Sequence, residues 1–168
     1  MKTIEVYRFD ELPEDVQHEV HEAAGYMEDP WADENWDTWR TFIRDVFPYV
    51  IKDWAYGDRH THITCYDNDW SEMHGEELKD YLAGILDRLG DYPTGYCMDY
   101  SCYGYVRNNL DRIVSEDLTA KEIAEDTFWH FCEVVETHEE YCQSFEYFAE
   151  EAEANDYYYT IYGEKVDV

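Results

Sequence analysis

Basic residues are scarce in this sequence, whose 168 residues include 12 Lys and Arg against 41 Asp and Glu, a formal net charge of −29. A surface dominated by one sign of charge repels molecules of the same sign and attracts those of the opposite sign. We therefore expect no direct binding to nucleic acid or to an anionic membrane. The same imbalance predicts a protein partner with a basic surface, and it leaves the oligomeric state open.

Long apolar runs are also missing, since no stretch of 18 apolar residues occurs, and a membrane-spanning helix needs about 20. Residues 1–9 contain no basic region followed by an apolar run, which is the pattern of a secretory signal. The cysteines are odd in number and scattered, which argues against a disulfide framework. They are Cys65, Cys97, Cys102, Cys132 and Cys142. We expect a cytoplasmic protein with reduced thiols.

Familiar catalytic motifs are not found either. The sequence has no phosphate-binding glycine loop, no nucleophile elbow and no Cys-His signature. The segment Asp67-Asn68-Asp69 is similar to the start of a calcium loop, but Met73 and His74 follow in place of the Gly and the later Glu that such a loop requires. We predict no enzymatic activity, no catalytic residue and no cofactor.

Histidine and cysteine could in principle supply zinc ligands. The candidates are His60, His62, Cys65, His130 and Cys132. Their spacing matches no standard ligand pattern, and in a strand Cys65 points to the opposite face from His60 and His62. We therefore predict no metal site, while a metal-dependent enzyme using these residues is kept as a rival hypothesis.

Enough apolar material is present for a core, because apolar residues make up 45% of the chain and aromatic residues 18%. Disordered acidic segments lack the residues that offset an ordering entropy of roughly 1–2 kcal/mol per residue. The length favours one domain spanning residues 1–168. The predicted class is α+β, with a small, mostly antiparallel sheet packed against four to five helices.

Hydrophobic periodicity gives the predicted elements. Strands are predicted over 2–8, where residues alternate between two faces, and over 60–66, where β-branched and aromatic residues have a period of two. A closing strand is predicted over 157–162. Helices are predicted where apolar residues recur at three and four, over 11–26 with Asp10 as N-cap, over 35–54 with a break at Pro48, and over 75–89 ending at Gly90. Residues 91–106 favour irregular strands with turns. Residues 118–152 predict one long helix, or two with a corner near Tyr141.

That last helical stretch carries an unusual row of acids. Six share one predicted face: Glu122, Asp126, Glu133, Glu136, Glu140 and Glu151. Residues 116–156 hold fourteen acids and one base, Lys121. An ordinary solvated helix alternates Glu with Lys, because like charges four residues apart are destabilising. Helical neighbours have Cβ atoms about 5–6 Å apart, and a DNA strand presents a charge about every 3.4 Å.

We predict that these six residues bind Arg and Lys of a nucleic-acid-binding protein, in a contact weakened by salt. The alternative is a surface that serves only solubility or adaptation to high salt. Each interpretation accounts for the excess of acid, and the sequence leaves both open.

Three stretches together resemble a family of small tailed-phage proteins often labelled antitoxin-like, whose activity is mostly unassigned. They are Tyr7 to Gln17, the helix with Trp36, Trp39 and Phe42, and Phe145 to Phe148 followed by Glu153 to Tyr159. The resemblance implies a phage origin. In charge and size the chain is similar to phage anti-CRISPR and anti-restriction proteins that act as DNA mimics.

The predicted function is therefore a phage-encoded inhibitor of a host nucleic-acid-binding defence protein, either a CRISPR effector or a restriction enzyme, in the host cytoplasm. The alternative is an antitoxin-like protein that neutralises a basic toxin. A housekeeping acidic protein without a partner is a further possibility.

Overall fold

The structure is a computed structural model that describes residues 3–168. Within that range the chain is α+β and mostly helical. The helices are α1 Glu14–Ala24, α2 Ala32–Val46, α3 Asp69–Glu72, α4 Gly75–Leu89, α5 Tyr103–Asn108, α6 Leu110–Ser115, α7 Ala120–Cys142 and α8 Phe145–Ala154. The strands are β1 Tyr7–Arg8, β2 Ile51–Ala55, β3 His62–Cys65, β4 Tyr158–Tyr159 and β5 Lys165–Val166.

The α+β class and the antiparallel strand pairing are confirmed, but the predicted numbers of sheets and helices were wrong. The described residues form two antiparallel sheets instead of one, with strand orders β1-β4-β5 and β2-β3. They form eight α-helices instead of four or five. No helix among them combines the length and the apolar character needed to cross a membrane.

The chain divides into two compact units. The smaller unit combines residues 1–29 with residues 137–168, and the larger unit comprises residues 30–136. The expectation of one domain over 1–168 stays a prediction.

The larger unit is built around aromatic residues of α2 and of the first part of α7. Trp39 and Phe42 are three residues apart on α2 and fully buried. The Trp39 ring lies 5.5 Å from Phe128 and 5.1 Å from Phe131, measured between ring centroids. Aromatic pairs at this distance add about 0.5–1.5 kcal/mol beyond the area that they bury. The helical spacing of apolar residues thus creates the face that holds this unit together.

A hairpin of β2 and β3 packs against the same core. Trp54 pairs with Ile63 in the antiparallel ladder, and the Trp54 ring stacks on Trp36 of α2 at 5.1 Å. The hairpin is therefore anchored to α2 by its inward-facing side chains.

The smaller unit has its own core beneath the three-stranded sheet. Tyr7 pairs with Tyr159, which pairs in turn with Lys165. Phe9 packs against Phe148 of α8 with ring centroids 5.2 Å apart. The turn between β4 and β5 contains Gly163 at φ +86°, where a Cβ would approach a methyl of Val20 to 2.8 Å. That position requires glycine for both its backbone conformation and its close contact with α1.

Several sequence predictions are confirmed. The helix over 75–89 matches α4, and Gly90 caps it with φ +81°. The strand over 60–66 contains β3. The outer strands are shorter than expected: residues 157–162 contribute two residues to β4, and residues 2–8 contribute two to β1, with Lys2 outside the described residues.

The helix over 35–54 was wrong beyond Pro48. The predicted break is confirmed, because α2 ends at Val46, but the chain then enters strand β2. Ile51 and Trp54 fit both a helical stripe and a strand, so their spacing alone did not distinguish the two structures. The N-cap prediction was also wrong, since Asp10 lies in a 3-10 turn and α1 begins after Pro13.

Residues 91–106 contain no strand within the described chain, contrary to the prediction. The carboxylate of Asp99 accepts hydrogen bonds from the backbone N–H groups of Thr94 and Gly95 at 3.1 and 3.0 Å, which stabilises a tight loop. Tyr103 and Val106 then bury one face of α5. Residues 118–152 form two helices, and the corner follows Tyr141 as one of the two alternatives predicted.

Candidate functional site

Both units carry a large excess of acid. The smaller unit has 18 acidic against 3 basic residues, and the larger unit has 23 against 9. Ion pairs inside either unit can therefore neutralise only a minority of its carboxylates. Most of the negative charge must face solvent, counterions or a partner.

Five of the six predicted binding residues lie on α7. They are spaced by three, four and seven residues: Glu122, Asp126, Glu133, Glu136 and Glu140. At about 100° per residue, the four in the larger unit, Glu122 to Glu136, fall on one helix face roughly 80° wide. Glu140 and Glu151 belong to the smaller unit, Glu151 on α8. The six predicted residues are thus divided between the two units, and the structure places four together.

The first two residues of this face already have partners within the chain. The Glu122 carboxylate accepts a hydrogen bond from the Thr119 backbone N–H at 2.8 Å, and the Thr119 hydroxyl accepts one from the Glu122 N–H at 3.2 Å. This reciprocal pair is a capping box at the start of α7. Glu122 therefore has a structural role besides its charge.

Asp126 forms an ion pair with Arg112 of α6, whose Nη2 lies 3.1 Å from the carboxylate. The same guanidinium also binds Glu116. Hydrogen bonds to Glu116 and Asp126 raise the pKa of Arg112, which holds it in its charged form. An external cation must compete with Arg112 for Asp126.

Glu133 and Glu136 are exposed, and an exposed aromatic residue accompanies them. Trp129 is 49% exposed and lies on the same face, four residues before Glu133 and seven before Glu136. We define Trp129, Glu133 and Glu136, with Glu122 and Asp126, as the α7 acidic face. Trp129 was not among the predicted binding residues, although its heptad spacing from Glu122 and Glu136 is visible in the sequence.

The smaller unit contains a cleft of about 340 Å³. Its apolar lining includes Phe9, Phe145 and Ala149. Carboxylates also line it: Asp10, Glu146, Glu150, Glu153 and Asp156. Apolar clefts of roughly this volume with a few charged groups are typical of ligand or side-chain binding sites.

Basic residues of the smaller unit do little to offset these acids. Arg8 pairs with Asp156 at 3.4 Å, and the Lys165 ammonium lies 3.5 Å from the centroid of the Tyr157 ring. The third base, Lys2, lies outside the described residues. Glu150 accepts a hydrogen bond from the Tyr141 hydroxyl at 2.9 Å, which raises the pKa of Tyr141 to about 12. Glu151 accepts one from the Asn155 amide at 3.2 Å.

No family model, no curated protein and no solved structure matches the chain. The resemblance to the phage family remains a prediction. The charge, exposure and contacts of the chain's own side chains are therefore the basis for inferring its function.

The histidines considered as zinc ligands have other contacts. His62 Nε2 lies 3.0 Å from an Asp53 carboxylate oxygen, and the His62 ring packs on His60 at 4.5 Å. His130 stacks on Tyr105 at 4.4 Å.

One group of three possible metal ligands occurs within the described chain, and it was not predicted from the sequence. It consists of Asp29, His138 and Cys142. His138 and Cys142 are one helical turn apart, a spacing visible in the sequence. Asp29 joins them only through the fold.

Proposed function

We propose that this protein is a phage-encoded inhibitor that binds a basic host defence protein and occupies its nucleic-acid-binding site. The proposed targets are a CRISPR effector or a restriction enzyme. The observation that carries the proposal is Trp129, half exposed among the carboxylates of the α7 acidic face. A surface that serves only solubility gains nothing from an exposed Trp, whereas Trp is enriched at the energetic centres of protein interfaces.

The chemistry of this face suits an arginine-rich partner. Guanidinium groups bind carboxylates through paired hydrogen bonds and also stack on Trp rings. A nucleic-acid-binding groove presents such groups in rows, because it normally contacts successive phosphates and stacked bases. Carboxylates on helical neighbours, whose Cβ atoms are about 5–6 Å apart, together with an exposed aromatic ring on the same face, offer substitutes for both kinds of contact.

The residues of the face differ in their proposed importance. Glu133, Glu136 and Trp129 are the leading contacts, since all three side chains are exposed on this face. Asp126 is half-buried beside Arg112, and Glu122 also caps α7. Glu140 and Glu151 remain proposed contacts from the smaller unit. No catalytic residue is part of the proposal.

The test is capture of host proteins by the wild-type chain and three variants. E133K/E136K and W129A alter the α7 acidic face. D80K/D87K is the matched control, because Asp80 and Asp87 are exposed on α4 of the same unit and the substitution changes the net charge equally. We expect capture of a nucleic-acid-binding protein to be lost with the first two variants and retained with the control. DNA should displace the captured protein, and raising salt from about 50 to 500 mM should release it.

Two outcomes would overturn the proposal. Equal loss of capture in E133K/E136K and D80K/D87K would show that net charge matters and the face does not. Capture that survives W129A and E133K/E136K would place binding elsewhere on the chain.

A second candidate function is antitoxin-like neutralisation of a basic toxin. The cleft of the smaller unit favours it, because an apolar lining edged by carboxylates suits an apolar side chain flanked by Lys or Arg. A partner retained by W129A and E133K/E136K, but lost when Glu150 and Glu153 are changed to Lys, would support this function.

A further inference from the structure

Three side chains with different donor atoms converge in the smaller unit. Asp29 follows α1, while His138 and Cys142 occupy successive turns near the end of α7. His138 Nδ1 lies 2.8 Å from Asp29 Oδ2. The three ligand atoms, a carboxylate oxygen, an imidazole nitrogen and a thiol sulfur, all lie within 4.8 Å of one another.

The burial of this group is unusual for acids in this chain, most of which are exposed. The Asp29 side chain is 2% exposed, and Cys142 is fully buried. A buried carboxylate is costly unless its charge is balanced and its oxygens are hydrogen-bonded. The contact with His138 Nδ1 at 2.8 Å is one such interaction of Asp29.

The Cys142 thiol is buried beside this carboxylate. Two donor atoms that bind cations in their ionised forms therefore share one buried space. A divalent cation between them would stabilise both ionised forms.

We propose that Asp29, His138 and Cys142 form a zinc site. It goes beyond the proposed function, because it lies in the smaller unit and involves no residue of the α7 acidic face. Side-chain exposure of 37% at His138 gives solvent access, and a water molecule would complete the four ligands. The site is assigned a binding role and no reaction.

The donor set selects the class of metal. Carboxylate, imidazole and thiolate are the three protein ligands that zinc accepts. Magnesium and calcium prefer all-oxygen sites, of which the acidic surface offers many. Thiolate ligation therefore distinguishes the proposed site from weak binding of cations to exposed carboxylates.

The distances are compatible with tetrahedral coordination after small movements. Zinc bonds of about 2.0–2.3 Å place neighbouring ligand atoms roughly 3.3–3.7 Å apart. The contact between His138 and Asp29 would lengthen by under about 1 Å, which side-chain rotation can provide. Spacing by four residues keeps His138 and Cys142 on one face of α7.

The test uses Co²⁺ as a spectroscopic probe, in excess Mg²⁺ to occupy oxygen-only sites. The wild-type chain should show a thiolate-to-cobalt charge-transfer band that saturates at about one Co²⁺ per chain and disappears when Zn²⁺ is added. C142S should abolish the band. C97S is the matched control, because Cys97 is the exposed thiol within the described chain, and it should leave the band unchanged.

A second measurement covers the case in which C142S fails to fold. H138A changes a partly exposed residue and should weaken Zn²⁺ binding by about tenfold or more. Zn²⁺ at about 100 times its Kd should raise the wild-type Tm by roughly 5–10 °C, with a smaller rise for H138A at the same concentration. No charge-transfer band in the wild type, a band lost in C97S, or equal Zn²⁺ affinity in H138A and wild type would each overturn the proposal.

Discussion

Some side chains in this chain form hydrogen bonds with residues far away in the sequence, and His74 is an example. Its Nδ1 lies 2.7 Å from Asp117 Oδ1, and the hydrogen bond to Asp117 raises the pKa of His74. Asp117 has φ +50°, a conformation that Asn also tolerates. The pair connects the start of α4 to the loop before α7.

The raised pKa predicts a pH dependence. A group whose pKa is higher in the folded state contributes stability that is fully present below its unfolded value, about 6.5. That contribution is lost as pH rises through the folded pKa of His74. We expect D117N to return the pKa of His74 toward its ordinary value, measured by NMR titration of the ring proton. D111N, which removes the partner of Lys79, should leave the His74 titration unchanged, and an unaltered titration in D117N would contradict the assignment.

For single residues, the sequence was enough to predict which charged side chains share a helix face, but it did not predict which side chains pair across elements. The helical spacing of Glu133 and Glu136 follows from their positions, so their common face was predictable. The pairing of Asp126 with Arg112 depends on how α6 meets α7. The approach of Asp29 to His138 joins residues more than a hundred positions apart, and periodicity contains no information about it.

The start of helix α7 is stabilised by the reciprocal hydrogen bonds of Thr119 and Glu122. Replacing Thr119 with Ala removes the hydroxyl that accepts the Glu122 N–H. We expect T119A to lower the free energy of unfolding by about 1 kcal/mol, measured by denaturant unfolding at constant m-value. T119S keeps the hydroxyl and should lose only a fraction of this, whereas equal losses would show that the cap contributes little.

The elements that were predicted correctly carry two agreeing signals. In α4, the stripe of Leu78, Leu82 and Ile85 ends at Gly90, so periodicity and the C-cap coincide. Residues 91–106 gave conflicting signals, because tyrosines favour strands and glycines favour turns. There the hydrogen bonds of Asp99 and the burial of Tyr103 decide the structure, and both depend on tertiary packing.

Across the whole molecule, a net charge of −29 makes self-repulsion a general cost of folding. The Debye length falls from about 30 Å at 0.01 M salt to about 10 Å at 0.1 M. We expect the Tm to rise with NaCl over roughly this range, because screening weakens repulsion among carboxylates that lack basic partners. KCl at equal ionic strength should raise the Tm by a similar amount. A Tm that stays constant or falls with added salt would show that repulsion among the carboxylates is already offset by attractive interactions in the folded chain.

The smaller unit combines residues 1–29 with residues 137–168, and this arrangement has a consequence for biosynthesis. Tyr7 pairs with Tyr159, so β1 leaves the ribosome long before its neighbour has been translated. At about 5–20 residues per second, the delay is on the order of ten seconds. During this interval the segment with Phe9 and Leu12 lacks the residues of α8 and β4 that cover it in the folded unit. We expect repulsion between its carboxylates and those of other nascent chains to oppose aggregation.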